Sequence, residues 1–162
     1  MREVVIVEAV RTPLGRRNGW LRETHPVRLG AAALCAALER AHLDAALVEH
    51  VLMGCVGQVG EQTFNLARNV VLDAGLPIDI PATTVDFQCG SSQQAVHLAA
   101  GMIASGQIDI AVAGGVENMS RVPMGSSIGA GGSPFTDRIM ADHNMIPQGI
   151  AADEIAFKWN IS

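Results

Sequence analysis

Tyrosine is absent from the 162-residue chain, and all aromatic residues together make up only 4% of it. Set against seventeen glycines, that scarcity points to a closely packed α/β architecture with tight turns. Charge is also sparse. Charged residues make up 17% and hydrophobic residues 49%, which excludes a disordered or low-complexity chain. Eleven Lys and Arg against sixteen Asp and Glu leave a net charge of −5, with a pI near 5.4. That balance excludes the basic stripe of a nucleic-acid-binding surface. No apolar run approaches the roughly 18 residues of a membrane span. The N-terminal apolar stretch is short, is interrupted by Glu8 and has no small-residue cleavage site, so it reads as a strand rather than a signal peptide. The three cysteines, at 35, 55 and 89, have no CxxC spacing and cannot all pair. A reduced, cytoplasmic protein is the expectation. The five histidines, at 25, 42, 50, 97 and 143, form no HxH or HxxxH group, and no metal site is expected.

What is present is alternation. The length allows one ordinary domain, which at this size buries about 68–70% of its unfolded surface. Residues 4–10 (VVIVEAV) are β-branched and bounded by charge and by Pro13, and read as a first buried strand. A Pro- and Gly-punctuated loop leads to a helical pattern at 27–41, in which Leu34, Cys35 and Leu38 recur at helical spacing and Gly30 is the one weak point. Residues 51–56 (VLMGCV) read as a second strand. Residues 66–74 read as a second helix, closed by Gly75 and Pro77. A third strand at 82–87, a helix at 91–105 ending at Gly106, and a fourth strand at 108–113, buried on both faces, follow. Strands and helices alternating at these spacings predict βαβ units and a mainly parallel sheet with helices on both faces.

After Gly115 the texture changes. Residues 121–150 carry Pro123, Gly125, Gly129, Gly131, Gly132, Pro134, Pro147 and Gly149, and read as an irregular excursion from the sheet. The pattern predicts a last amphipathic helix at 150–159, with Ile150, Ile155, Ala156 and Trp159 on its apolar side. The chain stops soon after with nothing left to cover that side, and unfinished is the reading that follows.

Cys89 is the residue with the strongest chemical setting. It stands between the strand ATTVDF and the helix SSQQAVHLAAGMIASG, with Gly90 behind it. A strand-to-helix turn puts a side chain at the carboxyl edge of a sheet, where open α/β sheets bind ligands. Unpaired N–H groups at a helix N-terminus favour the nucleophilic thiolate and could hold the oxygen of a tetrahedral intermediate. A buried structural cysteine is the alternative on position alone.

The stretch DFQCGSSQQAVHLAAGMIASGQIDIAVAGGVENMSRVPMG resembles the nucleophile region of thiolases, the acetyl-CoA acyltransferases. VEAVRTPLGR, VLMGCVGQVGEQTFNLARNV and MIPQGIAADEIAFKWNIS agree with the family in order, so the resemblance covers essentially the whole chain. Its most specific piece besides Cys89 is Gly114-Gly115-Val116-Glu117-Asn118-Met119-Ser120, matching G-G-x-E-x-M-S. The resemblance implies a thiolase-like N-terminal α/β half over residues 1–120 and the beginning of the family's inserted, CoA-binding loop domain over 121–162. It implies thiolytic cleavage of a 3-ketoacyl-CoA, or the reverse condensation, with ping-pong kinetics and no cofactor beyond the coenzyme A thioesters themselves. Cys89 would be nucleophile and acyl carrier, its own N–H one of two oxyanion donors. The family's activating histidine, second cysteine and oxyanion asparagine belong to motifs of the C-terminal half, beyond Ser162. The implied partners are acyl-CoA, a second copy in a dimer or tetramer, and possibly a separate C-terminal half.

No local residue is expected to stand in for that machinery. His97 lies eight positions past Cys89, about 12 Å along a helix, and is expected to be a packed or hydrogen-bonded core residue. His143 is expected to be a solvated loop histidine. Cys35 is expected in the core, and Cys55 in tight packing near the sheet edge, with a smaller chance of lining the pocket. Arg11, Thr12 and Pro13 read as structural, as does Glu117, an acid at a strand end that needs partners to hold it. Met119, Met124, Met140 and Met145 could line an acyl pocket or pack ordinarily. Ser92 and Gln93 replace a glycine and an apolar residue common in thiolases, and Pro147 is also unusual, which bears on substrate rather than on reaction. Two other readings compete. One is a non-catalytic or partner-dependent thiolase-like chain. The other is a ketoacyl synthase, which lacks the G-G-x-E-x-M-S signature.

Overall fold

In the computed structural model, which describes residues 2–129 and 131–162, the chain divides into two compact units, Met1–Ser127 and Ile128–Ser162. The first unit is built on three parallel strands in the order β2-β1-β3: β1 (His50–Gly54), β2 (Ala82–Val85) and β3 (Ala111–Gly115). The registers pair Val51 with Ala82 and with Val112, so the three strands end together at Gly54, Val85 and Gly115.

β1 is central and buried on both faces, and the period of two along it sorts its side chains between two cores. Val51 and Met53 join α1 (Pro26–Arg40) and α2 (Leu66–Asp73) through Val27, Ala31, Leu34, Leu66, Ala67, Val70 and Val71. Leu52 points the other way, to Ala95 and Ala99 of α3 (Ser91–Ser105). Helices therefore cover both faces, as the alternation predicts, and the fold is α/β.

The helix boundaries have local causes. His25 caps α1 by accepting from the Val27 N–H at 3.3 Å, with Pro26 at the first helical position. Asn65 caps α2 by accepting from the Arg68 N–H at 3.2 Å and donates to the Ala82 carbonyl at 2.8 Å, which ties that helix to β2. Gly30, the weak point of α1 by propensity, has a packing reason. A side chain there would stand 2.7 Å from Val70 Cγ2, so glycine lets α1 and α2 approach.

Three expectations are corrected. Residues 4–10 join no strand ladder, and Val5, Ile6 and Val7 are 66%, 78% and 77% exposed. β-branched composition favours extended backbone, but only an available strand edge turns it into sheet. The last strand begins at Ala111 rather than 108 and runs to Gly115, because Glu49 takes the N–H groups of Asp109 and Ile110 before the ladder starts. Ala111, Val112 and Ala113 are half-buried rather than buried on both faces, since β3 is an edge strand.

The second unit contains α4 (Asp137–Asp142) and α5 (Gln148–Trp159). α4 interrupts the stretch read as irregular, capped by Thr136, whose hydroxyl accepts from Ile139 at 3.3 Å. Ala130, within that stretch, and Met1 lie outside the described residues. α5 ends on Asn160 in the left-handed conformation, with the Lys158 ammonium 4.6 Å from the Trp159 ring centroid. Ile150, Ile155 and Trp159 are all exposed, so the apolar side expected of this helix is uncovered.

Candidate active site

The chain leaves β2 at Val85 and enters α3 at Ser91 through a turn closed by five hydrogen bonds. The Gln88 N–H donates to Asp86 Oδ1 at 2.9 Å, the Gly90 N–H to the Phe87 carbonyl at 3.1 Å, and the Ser91 N–H to the Gln88 carbonyl at 3.0 Å. The Ser91 hydroxyl accepts from the Phe87 N–H at 2.9 Å and donates to the Gln88 carbonyl at 2.5 Å. Gln88 sits at φ +48°, a left-handed conformation that a side chain rarely adopts. Next to it stands Cys89, a free and exposed thiol. From Phe87 to Ser91, Cys89 alone has an N–H without a hydrogen-bond partner among the described residues. A thiol and an open N–H of the same residue thus share a helix N-terminus at the carboxyl end of the sheet, a geometry that suits a nucleophile and a donor to an oxyanion.

Two strand-end glycines seat this turn. A side chain on Gly54 would overlap the backbone of Ser91 and Ser92, with Ser92 Cα only 2.8 Å from the added carbon. A side chain on Gly115 would collide with the Ser92 hydroxyl and come within 2.8 Å of the Gly54 carbonyl oxygen. The first turn of α3 therefore rests directly on the ends of β1 and β3. Ser92, which replaces a common glycine, has its hydroxyl against Gly115.

Beside the sheet end, Glu117 organises the loop after β1. Its carboxylate accepts from the N–H groups of Val56 at 2.8 Å and Gly57 at 3.1 Å, and from the Gln62 side-chain amide at 2.7 Å. Gln62 is fully buried and passes the contact on, accepting from the Asn118 N–H at 2.8 Å. Asn118 in turn donates to the carbonyls of Leu21 and Thr24 at 3.0 and 2.9 Å. Glu117 thus holds loops, as a strand-end acid needing partners should. Gln62 and Asn118 escape the sequence reading as supports. Gln62 sits in a polar loop without periodicity, and Asn118 is marked only by lying inside the G-G-x-E-x-M-S stretch.

Cys55 belongs to this network and to the core. It is 1% exposed, and its thiol lies 4.0 Å from Glu117 Oε1. Burial, then the neighbouring Glu117 carboxylate, push it up to about 12, which keeps it protonated and unreactive. Tight packing is thus its role.

Two other expectations are corrected. Cys35 is exposed, because Val27, Ala31, Leu34 and Leu38 take the buried stripe of α1 and leave residue 35 to one side of it. Its thiol reaches the Ala74 carbonyl at 3.7 Å. His97 is exposed on α3 rather than packed, because Ser91, Ala95 and Ala99 form that helix's narrow buried stripe. His143 is exposed at the end of α4. Arg11 is exposed, as are Met119, Met124, Met140 and Met145. Among the described residues no group of three or more His, Cys, Asp or Glu could hold a metal ion, and no helix is long and apolar enough to cross a membrane.

The family model described as the N-terminal domain of thiolase matches residues 4–162. The chain belongs to the thiolase family. Similar proteins include a steroid 3-ketoacyl-CoA thiolase of Mycobacterium tuberculosis, 43% identical over all of this chain and 42% of the relative. A 3-ketoacyl-CoA thiolase of Pectobacterium carotovorum is 47% identical over 79% of this chain and 34% of its own length. A β-ketoadipyl-CoA thiolase of Acinetobacter baylyi is 45% identical over 82% and 34%. The chain thus spans well under half the length of these curated relatives. Family membership places Cys89, Gly115 and Glu117 within a thiolase N-terminal domain, in the turn, strand end and loop support described above.

Proposed function

We propose that the chain is the N-terminal part of an enzyme that transfers acyl groups between the Cys89 thiolate and coenzyme A. The thiolate adds to the ketone carbon of a 3-ketoacyl-CoA, and the Cys89 N–H donates to the resulting oxyanion. Collapse breaks the bond between the second and third carbons. The enolate of acetyl-CoA leaves and takes a proton, and the shortened acyl group stays on Cys89. Free CoA, as thiolate, then attacks that thioester and carries the acyl group away. The reverse sequence is the condensation.

The observation that carries this reading is the exposed Cys89 with an unpaired N–H in a turn seated on Gly54 and Gly115. The relatives' names differ in the acyl part, as steroid, unspecified or β-ketoadipyl, so 3-ketoacyl-CoA is the class they support in common. Coenzyme A thioesters serve as substrates, with no resident cofactor and no nucleic-acid or membrane partner, in the cytoplasm. Residues 1–120 form the nucleophile-bearing half-domain, and 121–162 begin the loop domain that binds CoA. Exposed Val96 and Leu98 on α3 support a further polypeptide surface there, a second copy or a C-terminal half.

The test is turnover of a 3-ketoacyl-CoA with free CoA by the protein carrying this chain, followed by separation of the products. Acetyl-CoA and an acyl-CoA shorter by two carbons are expected, in ping-pong kinetics, and Cys89→Ala should lower the rate by at least about 10³-fold. Undiminished turnover by Cys89→Ala would overturn the assignment.

A further inference from the structure

Gln88 holds a left-handed conformation without being glycine, one that an L-residue adopts only at an energetic cost. The turn must therefore contain something that fixes it. Asp86 takes the Gln88 N–H from one side, but every remaining side-chain bond in the turn comes from Ser91.

Ser91 is unusual for a serine at a helix start. It is not the capping residue: Gly90 occupies that position and supplies no side-chain bond. The Ser91 hydroxyl does not satisfy the free N–H groups of α3. It reaches back along the chain, accepting from the Phe87 N–H and donating to the Gln88 carbonyl, and so brackets the Phe87–Gln88 segment at both ends. At 4% exposure it does so away from competing water. It is anchored in turn, because the Ser91 carbonyl carbon and the Ser92 backbone lie over the bare Cα of Gly54. An unbroken path then runs from the end of β1 through Ser91 to Gln88, and so to the residue whose thiol and N–H are open.

We propose that Ser91 is a positioning residue for the nucleophile: its hydroxyl clamps Gln88 in the left-handed conformation and thereby fixes Cys89 at the start of α3. This rests on Cys89 being the reactive thiol of the proposed function. Without the hydroxyl, Phe87 loses the acceptor for a part-buried N–H, and Gln88 relaxes toward an ordinary negative φ. The Cys89 peptide unit rotates with it.

The chain carries its own controls. Cys35 is an exposed thiol on α1 and serves as a reference for reagent access, while buried Cys55 reports unfolding. The experiment is timed alkylation of the 162-residue chain by iodoacetamide, with each cysteine quantified by peptide mapping. It compares the unaltered sequence, Ser91→Ala, and the double variant Ser91→Ala with Gln88→Gly. Ser91→Ala is expected to slow Cys89 relative to Cys35 by about tenfold. Glycine at 88 adopts positive φ freely, so the double variant should recover most of that loss.

A Cys89 to Cys35 ratio unchanged in Ser91→Ala would overturn the proposal. Failure of Gln88→Gly to restore the ratio would also overturn it, since support unrelated to the backbone of residue 88 would not respond to glycine there. Should Ser91→Ala itself expose Cys55, the double variant decides: restored protection of Cys55 supports the clamp, and continued exposure overturns it. Acylation of the unaltered protein carrying this chain by a 3-ketoacyl-CoA is read in parallel. Its failure would count against the proposed chemistry, while the alkylation ratios would still decide the role of Ser91.

Discussion

The three cysteines illustrate how one side-chain type is given three fates by its surroundings. Cys89 is exposed at a helix start, Cys35 is exposed on a helix surface, and Cys55 is buried beside a carboxylate. Thiolate is the reacting form, so a thiol pushed up to about 12 by burial and by Glu117 is protected chemically as well as sterically. Alkylation at pH 8 should therefore modify Cys89 and Cys35 and spare Cys55 until denaturant is added, with peptide mapping as the readout. Labelling of Cys55 at the rate of Cys35 in the folded chain would refute that account. The residue scale also shows where sequence reasoning reaches its limit. Cys89 is marked by its strand–turn–helix setting and its family motif. Cys35 has the apolar neighbours Leu34 and Leu38, but occupancy of the buried stripe is settled only when the helix meets its partner. His97 is misread for the same reason: the buried stripe of α3 is Ser91, Ala95 and Ala99, and it leaves residue 97 outside.

At the scale of elements, the seating of α3 on glycine edges makes opposite predictions for two glycines. Gly54→Ala forces a methyl into the Ser91–Ser92 backbone and should destabilise the fold by about 1–3 kcal/mol or more in urea unfolding. It should slow Cys89 alkylation as well. Gly101 lies within α3 with open space around it, so Gly101→Ala should stabilise by about 0.5–1 kcal/mol and leave Cys89 unchanged. β1 carries a pH dependence of its own. His50 opens that strand, bonds Thr83 of β2 at 3.0 Å, and is held below its ordinary value of 6.5 by burial. Its neutral form is favoured in the folded chain, so its contribution is full above about pH 6.5 and is lost as pH falls through the lowered folded value. The urea midpoint should drop on going from pH 7.5 to 5.5, and His50→Gln should flatten that drop. Both α1 and α3 lie within a residue of the ranges that periodicity and glycine stops predict, because those signals are local. The strand expected at 4–10 fails because sheet formation depends on a partner edge, which no local pattern encodes. α4 goes unseen because six residues with a single threonine cap are too short to show a period.

For the molecule as a whole, the two units differ in kind. The first surrounds a three-stranded sheet with two buried clusters, whereas neither α4 nor α5 of the second contains a buried residue. Limited proteolysis should therefore cut first next to the exposed residues 124–129 and 131–135 and leave a resistant fragment ending near Ser127. First cleavage inside α1 or α3 would contradict that division. The chemistry proposed for the whole protein rests on one thiol, and this allows the most direct test. The protein carrying this chain is incubated with a 3-ketoacyl-CoA without free CoA, its intact mass is compared before and after, and the adduct is located by peptide mapping. The account predicts a single acyl group on Cys89, with Cys35 and Cys55 unmodified. An unmodified protein, or acyl groups on Cys35 in equal measure, would contradict it.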